Sequence, residues 1–215
     1  MNAVVSLHTP NYQVLADHTW TNNKLEYANK HGYKTFLKLD NFRSTHTIGY
    51  EKIFFLQDIM RDNPDVEWFW WLGTDTLITN FNTKMEDHID NDYHFVIGED
   101  GNGMNADSFF IRNTPEGRAY IDWIVNNADH YDPHYFREQQ AMIESADMPQ
   151  WQPIIKIVPQ NRFNSHDCWP NRVGVDKFGE RGWWEPGDFV VHWPGSSMET
   201  RLGRQIPTYM PRVIK

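Results

Sequence analysis

The sequence predicts an α/β fold in which a mostly parallel central sheet is flanked by helices, formed as a single domain over residues 1–215. Short apolar runs alternate along the chain with longer segments of helical character, a pattern typical of parallel sheets covered by helices. Residues 68–72 (WFWWL) are apolar on both alternating faces, as expected of a central strand that is buried on both sides. With 215 residues, 40% of them hydrophobic, the chain is long enough for one such domain with a proper core.

The first part of the chain alternates strand and helix twice before it reaches the tryptophan-rich run. The segment YKTFLKL alternates at period two, which predicts a strand, and Gly32 before it ends a helix. Ile53, Leu56 and Met60 share one face of a second helix, which ends at the turn DNPD. The predicted elements are strands over residues 2–8 and 33–39 and helices over residues 12–30 and 50–61.

The second part continues the alternation. Thr114, Pro115 and Glu116 form a cap, a proline and an acid in the order that starts a helix. The glycine-bearing stretch at residues 101–107 is predicted as a loop. Strands are predicted over residues 94–100, 108–113, 154–158 and 188–193, and helices over residues 115–127 and 137–146. Repeats and a convincing linker are missing, which favours one domain.

Composition excludes some classes of function. The formal net charge is −9 and no run of Lys and Arg stands out, which argues against a generic duplex-DNA binder but allows a local basic pocket for a diphosphate. The single cysteine, Cys168, excludes an internal disulfide and fits a reducing compartment. The N-terminal residues have neither a basic flank nor a long apolar run, so we expect no signal peptide or membrane span, and a soluble, cytoplasmic protein.

Asp75 follows the tryptophan-rich strand almost directly. In open α/β sheets ligands bind beyond the carboxyl ends of the strands, so this acid is a candidate ligand for a metal or a sugar. Thr74, Asp75 and Thr76 are also good capping residues for a turn. This stretch alone leaves both interpretations open.

Seven segments in consistent order resemble glycosyltransferase family 34. They are NKLEYANKHGY, YEKIFFL, EWFWWLGTDTLITN, GEDGNGMNADSFFIRN, REQQAM, VPQNRFNS and GDFVVHWPG, and they extend from about residue 20 to residue 197. The resemblance implies the GT-A fold, a nucleotide-sugar donor, a divalent cation (usually manganese) and retention of the anomeric configuration.

The resemblance implies two metal ligands. Asp75 matches the last acid of the family's Asp-x-Asp motif, and His192 matches a histidine near the C-terminus within GDFVVHWPG. Carboxylate oxygen and imidazole nitrogen suit Mn²⁺, and Mg²⁺ is the alternative. Gly73 stands where the family has its first acid, so the protein would supply one carboxylate and one imidazole. We therefore expect the metal to bind together with the nucleotide diphosphate, whose oxygens complete the coordination shell.

Four further residues are predicted to contact the donor. Lys52 and Asn105 match donor-contacting positions of the family, whereas Ser6 and His8 close the first strand at the edge where a GT-A fold receives its nucleotide. A strand-end serine or histidine can equally be a satisfied polar group, and a helical lysine can be solvated. Asp107 replaces a family glycine and adds an acid near Asn105; the sequence leaves open whether it compensates for Gly73.

Glu138 and Gln139 match the family's acid–glutamine pair and are the predicted catalytic residues. The glutamine resembles a group beside the anomeric carbon, where a neutral amide oxygen can stabilise an oxocarbenium-like transition state. A family lysine that follows the histidine is missing, and Arg201 or Arg204 could supply its charge. Residues 84–94 and 166–171 are interpreted as structural segments rather than as a metal cluster and a nucleophilic site.

The sequence thus predicts a retaining, metal-dependent glycosyltransferase, microbial or viral, that moves a hexosyl or pentosyl group from a UDP- or GDP-sugar to an acceptor hydroxyl. The acceptor is a glycan, a lipid-linked sugar or a hydroxymethylated base of viral DNA, although the acidic charge of the chain counts against the last. The alternative is a catalytically silent nucleotide-sugar or glycan-binding protein, which the missing acid at Gly73 would explain.

Overall fold

The structure, a computed structural model, describes residues 1–167 and 174–215. Cys168 and most of the predicted structural loop at residues 166–171 lie outside the described residues. Within the described part of the chain, no helix has both the length and the apolar character that crossing a bilayer requires.

The strands of the described residues form two sheets. They are, in chain order, β1 (Asn2–Leu7), β2 (Lys34–Lys38), β3 (Trp68–Leu72), β4 (Thr76–Ile78), β5 (Phe95–Asp100), β6 (Gly103–Arg112), β7 (Ile155–Pro159), β8 (Ser165–His166) and β9 (Val190–His192). The large sheet has the order β2-β1-β3-β6-β5-β7, and only β6 runs antiparallel to its neighbours β3 and β5. The predicted α/β fold with a mostly parallel central sheet is confirmed.

Among the described residues, six helical segments connect and cover the strands. They are α1 (residues 10–31), α2 (Ile48–Asp62), α3 (Pro115–Asn126), α4 (Ala128–Tyr131), α5 (Glu138–Ser145) and α6 (residues 198–212), with short 3₁₀ turns at Met85–Asp87, Gln152–Ile154 and Gln160–Arg162. The first and last of these combine α, 3₁₀ and π geometry along a continuous run. The α3 helix starts as predicted, because the Thr114 side chain accepts a hydrogen bond from the Gly117 N–H.

The β3 strand is buried on both faces, as its sequence predicts. Phe69 and Trp71 pack in the core under α2 and α3, whereas Trp70 faces the core under α1 and stacks on Phe110 and Phe189 at ring distances of 5.1 and 4.8 Å. The aromatic packing fixes the position at which the strand ends, and with it the turn that carries Asp75.

One predicted loop is part of a strand. Residues 101–107 were expected to be irregular because of their glycines, but β6 begins at Gly103 and pairs with β5 from Asp100 onward. Gly103 adopts a positive φ of 103° at the start of the strand, so the glycine serves the hairpin rather than a long loop. Asn105 and Asp107 therefore lie within β6, between its pairs Met104–Glu99 and Phe109–Ile97 with β5, where the register shifts.

The small sheet places the C-terminal strand beside the β3–β4 turn. Its order is β4-β9-β8, and Thr76 lies opposite His192 in the antiparallel β4–β9 pair. The Trp193 N–H donates to the Asp75 carbonyl at 3.0 Å. This pairing brings residues that are more than a hundred positions apart to the same edge of the molecule.

Candidate active site

The turn after β3 is held by its neighbours on both sides. The Gly73 N–H donates to the Asp107 carbonyl at 2.8 Å, and the Thr74 hydroxyl donates to the Leu7 carbonyl at 2.6 Å. The Thr76 N–H closes the turn on the Gly73 carbonyl. The Asp75 side chain is thus fixed at the carboxyl edge of the parallel strands, where ligands bind in such sheets.

Three side chains converge at this edge: Asp75, Asp107 and His192, referred to below as the carboxylate–histidine cluster. One ligand atom from each lies within 4.8 Å of the other two. The His192 Nε2 is 3.8 Å from Asp75 Oδ1 and 3.5 Å from Asp107 Oδ2. Within the described residues, no other group of three His, Cys, Asp or Glu side chains has this geometry.

A buried cation lies behind each carboxylate of the cluster. Arg201 donates to Asp75 Oδ2 at 2.5 Å and to the Trp193 carbonyl at 3.2 Å. Lys52 lies 3.3 Å from Asp107 Oδ1 and 2.8 Å from Glu138 Oε1. Each carboxylate therefore uses one oxygen for its cation and turns the other toward His192. Such outer contacts orient metal ligands and are worth 10- to 100-fold in affinity as an order of magnitude.

The charges of the cluster keep Asp107 ionised. Burial alone would raise the pKa of Asp107, but the Lys52 charge and the His192 contact outweigh it and hold that pKa below its ordinary range. Burial alone would lower the pKa of His192, but the neighbouring Asp107 and Asp75 raise it. With His192 counted as neutral, the form in which an imidazole binds a metal, Asp75, Asp107 and Glu138 bring three negative charges and Lys52 and Arg201 two positive ones, which leaves a local charge of −1.

These residues fit a divalent cation. His192 is fully buried, and neither of its ring nitrogens has a hydrogen-bond partner among the described residues. An unpartnered buried nitrogen is costly unless something binds it. Two carboxylates and an imidazole are a ligand set for Mn²⁺ and, less well because of the nitrogen, for Mg²⁺.

A cleft of about 1140 Å³ opens beside the cluster and is called the main cleft below. Asp107 lines it, and its walls come from the β5–β6 hairpin, the loop before α5, the end of β8 and the loop between β9 and α6. The lining includes Asn105, Gln139, His166, Trp193 and the largely exposed Tyr135. The volume is slightly above the range of about 300–1,000 Å³ usual for small-molecule sites, and it is large enough for a ligand of the size of a nucleotide sugar.

Two of the predicted site residues lie in this cleft next to Asp107. Gln139 accepts a hydrogen bond from the Ala106 N–H at 3.1 Å through its Oε1. Asn105 donates to Asp100 at 2.8 Å, and its own Oδ1 accepts from the Asp107 N–H at 3.1 Å. Both side chains are fixed by the backbone of β6, so they occupy defined positions along the cleft.

Four other predicted residues are buried and make internal contacts. Lys52 and Glu138 form an ion pair behind the cluster, with each side chain 8% exposed. The Ser6 hydroxyl donates to the Leu72 carbonyl at 2.7 Å, and the His8 Nδ1 lies 3.2 Å from the Thr9 carbonyl. None of the four is among the residues that line the main cleft. Their donor-binding and catalytic roles stay predictions.

Sequence reasoning did not identify the full cluster. Asp107 stood out only as an acid in place of a family glycine, and its position became clear from the pairing of β3 with β6. Arg201 was considered for the diphosphate, but it contacts Asp75, while Arg204 contacts Asp167 at 2.6 Å. A buried arginine opposite a motif acid has no local sequence signal, because the two residues are 126 positions apart.

Comparison with known proteins shows the family to which the chain belongs. Residues 5–91 and 89–202 match the model of the galactosyl transferase GMA12/MNN10 family. The chain belongs to this family. Its family relatives include an alpha-1,2-galactosyltransferase of Schizosaccharomyces pombe, which is 31% identical over 80% of the chain and 54% of the relative. The probable alpha-1,6-mannosyltransferase MNN10 of Saccharomyces cerevisiae is 25% identical over 80% of the chain and 53% of the relative.

The chain spans about half the length of these family members, so the match covers their shared portion. Solved structures show the same fold. A glycosyltransferase involved in the glycosylation of the major capsid of PBCV-1 superimposes with a TM-score of 0.76 at 17% identity, over 97% of this chain and 98% of that one. The galactosyltransferase LgtC superimposes with a TM-score of 0.61 at 10% identity, over 98% of this chain and 95% of that one. The family member described here therefore has the GT-A fold.

Proposed function

We propose that this protein is a retaining, metal-dependent glycosyltransferase that moves a hexosyl or pentosyl group from a UDP- or GDP-sugar to an acceptor hydroxyl. The observation that carries the proposal is the convergence of the carboxylate–histidine cluster with the main cleft at the carboxyl edge of the sheet. Family membership supports the reaction class, since the relatives are named as galactosyl- and mannosyltransferases.

The cluster would hold Mn²⁺ or Mg²⁺ together with the nucleotide diphosphate. Bound there, the ion supplies Lewis-acid charge that stabilises the leaving diphosphate. Asp75 and His192 contribute an oxygen and a nitrogen, and Arg201 keeps Asp75 turned toward the ion. Because the surrounding side chains leave a local charge of only −1, the diphosphate is needed to complete both the ligand set and the charge balance.

Gln139 is proposed to lie beside the anomeric carbon. The Ala106 N–H occupies one lone pair of its Oε1 and thereby orients the amide, while the second lone pair is available to a positive centre in the cleft. A neutral amide stabilises an oxocarbenium-like transition state without forming a stable ester. Glu138 ion pairs with Lys52, and we propose that it acts by holding that lysine against Asp107.

The acceptor is proposed to be a glycan or a lipid-linked sugar bound on the outer side of the main cleft, near Tyr135. Exposed aromatic side chains offer flat apolar faces that suit sugar rings. A hydroxymethylated base of viral DNA is disfavoured by the net charge of −9, because duplex DNA requires basic side chains at its phosphates. The single cysteine supports a cytoplasmic location.

The proposal is tested by a thermal-shift panel of UDP- and GDP-sugars with and without Mn²⁺, followed by donor hydrolysis without acceptor. A ligand that binds only the folded state raises the midpoint, so one donor class should shift it and only with the metal. Slow release of the nucleotide diphosphate should accompany that shift. A shift without any hydrolysis would instead support the silent binding protein, and the absence of both would refute the proposal.

A further inference from the structure

Gly73 and Asp107 face each other across the antiparallel pair of β3 and β6. Leu72 lies opposite Ser108 in the register, and the Gly73 N–H donates to the Asp107 carbonyl at 2.8 Å just beyond this pair. Residues directly opposite on antiparallel strands have side chains about 5 Å apart, so a side chain from either position reaches the same region. We propose that Asp107 is a metal ligand that takes the place of a side chain at residue 73, and that the two residues form a matched pair.

The space next to Gly73 is occupied by the two carboxylates. A Cβ atom added to Gly73 would lie 3.1 Å from Asp75 Oδ1, 3.2 Å from Asp107 Oδ1 and 3.3 Å from Asp107 Cβ. These distances are shorter than ordinary van der Waals contacts. The φ angle of Gly73 is not among the positive values of the chain, so the backbone does not require glycine there. A side chain at residue 73 would therefore require the Asp75 or Asp107 side chain to move by a few tenths of an ångström.

The direction of the Asp107 carboxylate fits the role of a ligand. Its Oδ1 lies 3.3 Å from Lys52, whereas its Oδ2 lies 3.5 Å from the unpartnered Nε2 of the fully buried His192. Asp75 has the same arrangement, with Arg201 on one oxygen and His192 opposite the other. The two carboxylates are therefore equivalent in their contacts, and the assignment of one as a ligand extends to the other.

This inference rests on the proposed function, because it concerns the ion that accompanies the nucleotide diphosphate. It adds that the site has two protein carboxylates although the β3–β4 turn supplies only one. It also implies that the second carboxylate can come from either residue 107 or residue 73. Moving the acid from residue 107 to residue 73 should preserve the ligand set, provided that the side chain at residue 107 is removed at the same time.

The test measures binding of Mn²⁺ by electron paramagnetic resonance in the presence of saturating UDP or GDP, which needs no turnover. Asp107→Asn keeps the shape of the side chain and removes its charge, and should weaken Mn²⁺ binding at least about 10-fold. Asp107→Gly should do the same, and the double variant Gly73→Asp/Asp107→Gly should recover affinity to within about threefold of the parent. Gly73→Asp alone adds a third carboxylate to occupied space and should bind Mn²⁺ more weakly than the double variant.

The matched control is Asp122→Asn, since Asp122 is exposed, accepts a hydrogen bond from Gln57 and belongs neither to the cluster nor to the lining of the main cleft. It should keep the parental Mn²⁺ affinity. Equal affinity of the parent and Asp107→Asn would overturn the ligand assignment while leaving the proposed function intact. If the parent itself bound no Mn²⁺ with either nucleotide, the proposed function would fail first. Should Asp107→Asn prove unfolded by circular dichroism, the folded double variant decides: recovery supports the matched pair, and failure to bind refutes it.

Discussion

The two carboxylates of the cluster come from regions that reach the same point by different means. Asp75 lies in the turn between β3 and β4, and its position follows from a motif in the local sequence. Asp107 lies within β6, and its position follows from strand pairing. Both have a buried cation behind them and His192 in front.

The comparison shows that the candidate ligand set is defined in space rather than along the chain. The turn fixes Asp75 through hydrogen bonds to β1 and β6, whereas the sheet register fixes Asp107. The cations also differ. Arg201 serves Asp75 and otherwise bonds the Trp193 carbonyl, but Lys52 is shared between Asp107 and the buried Glu138. The two regions should therefore respond differently when their cations are removed.

Replacing His192 removes the side chain that both carboxylates face. We expect this substitution to have the largest effect. His192→Ala should lower metal-dependent donor hydrolysis by about 100-fold or more, because the ion loses a ligand that faces both carboxylates. Thermal unfolding and nucleotide titrations with Mn²⁺ measure the fold and the affinity separately. The exposed His130 provides the control, and His130→Ala should leave hydrolysis unchanged. Full hydrolysis by His192→Ala at low Mn²⁺ would show that this histidine is no ligand.

A substitution of Gln139 tests whether the transfer reaction takes place in the main cleft. Gln139→Ala should reduce kcat about 10- to 100-fold and change the donor Kd by less than about threefold, because the proposed contact strengthens as the anomeric carbon becomes cationic. The neighbouring Gln140 offers a matched control, since its amide donates to Glu144 at 2.9 Å on the exposed side of α5. Gln140→Ala should be neutral. Weaker donor binding at unchanged kcat would make Gln139 a binding residue only.

Substitutions of the two cations, Arg201 and Lys52, distinguish the two regions most directly. Arg201→Gln should weaken Mn²⁺ binding about 10-fold with a small loss of stability, because Asp75 remains partly solvated. Lys52→Met should weaken it similarly and also cost about 3 kcal/mol of the free energy of unfolding, because it leaves the buried Glu138 unpaired. Denaturant unfolding and Mn²⁺ titration report the two quantities. Arg212→Gln removes a charge from the exposed end of the same helix and controls for the net charge. A larger loss of stability in Arg201→Gln than in Lys52→Met would contradict this expected difference between the two regions.

A pH effect on stability is expected behind the β3–β4 turn. Lys24 is fully buried, donates to the carbonyls of Thr19 and Thr76, and has its pKa lowered to about 7, first by burial and against the opposing charge of Asp75. The unfolded chain, with a lysine pKa near 10.5, binds more protons than the folded one above pH 7, so folding gains stability as the pH rises. Relative to Lys24→Met, the parent should gain about 2 kcal/mol between pH 7 and pH 9. Parallel urea titrations at the two pH values measure this difference, and a constant difference would contradict the lowered pKa.

The sequence predicted the fold and one region of the cluster well. The buried tryptophan strand and the α/β alternation were expected because periodicity is a local signal, whereas the convergence of Asp75 with His192 was expected from the family resemblance. The contacts of Asp107 with Lys52 and His192 were not expected, because they depend on the register between β3 and β6. A shift of that register by one residue would turn the Asp107 side chain to the other face. Arg201 was missed as a partner of Asp75, since α6 contains Pro207 and Pro211 and shows no clear helical period.

The most direct test of the account is a calorimetric titration of Mn²⁺ into the protein with and without UDP or GDP. We predict weak binding to the nucleotide-free protein, since the local charge is −1 and the three candidate protein ligands leave the shell incomplete. We predict much tighter binding with the diphosphate, and loss of that binding in Asp75→Asn. Tight Mn²⁺ binding without nucleotide that Asp75→Asn leaves unchanged would contradict the account and reduce Asp75 to the cap of a turn.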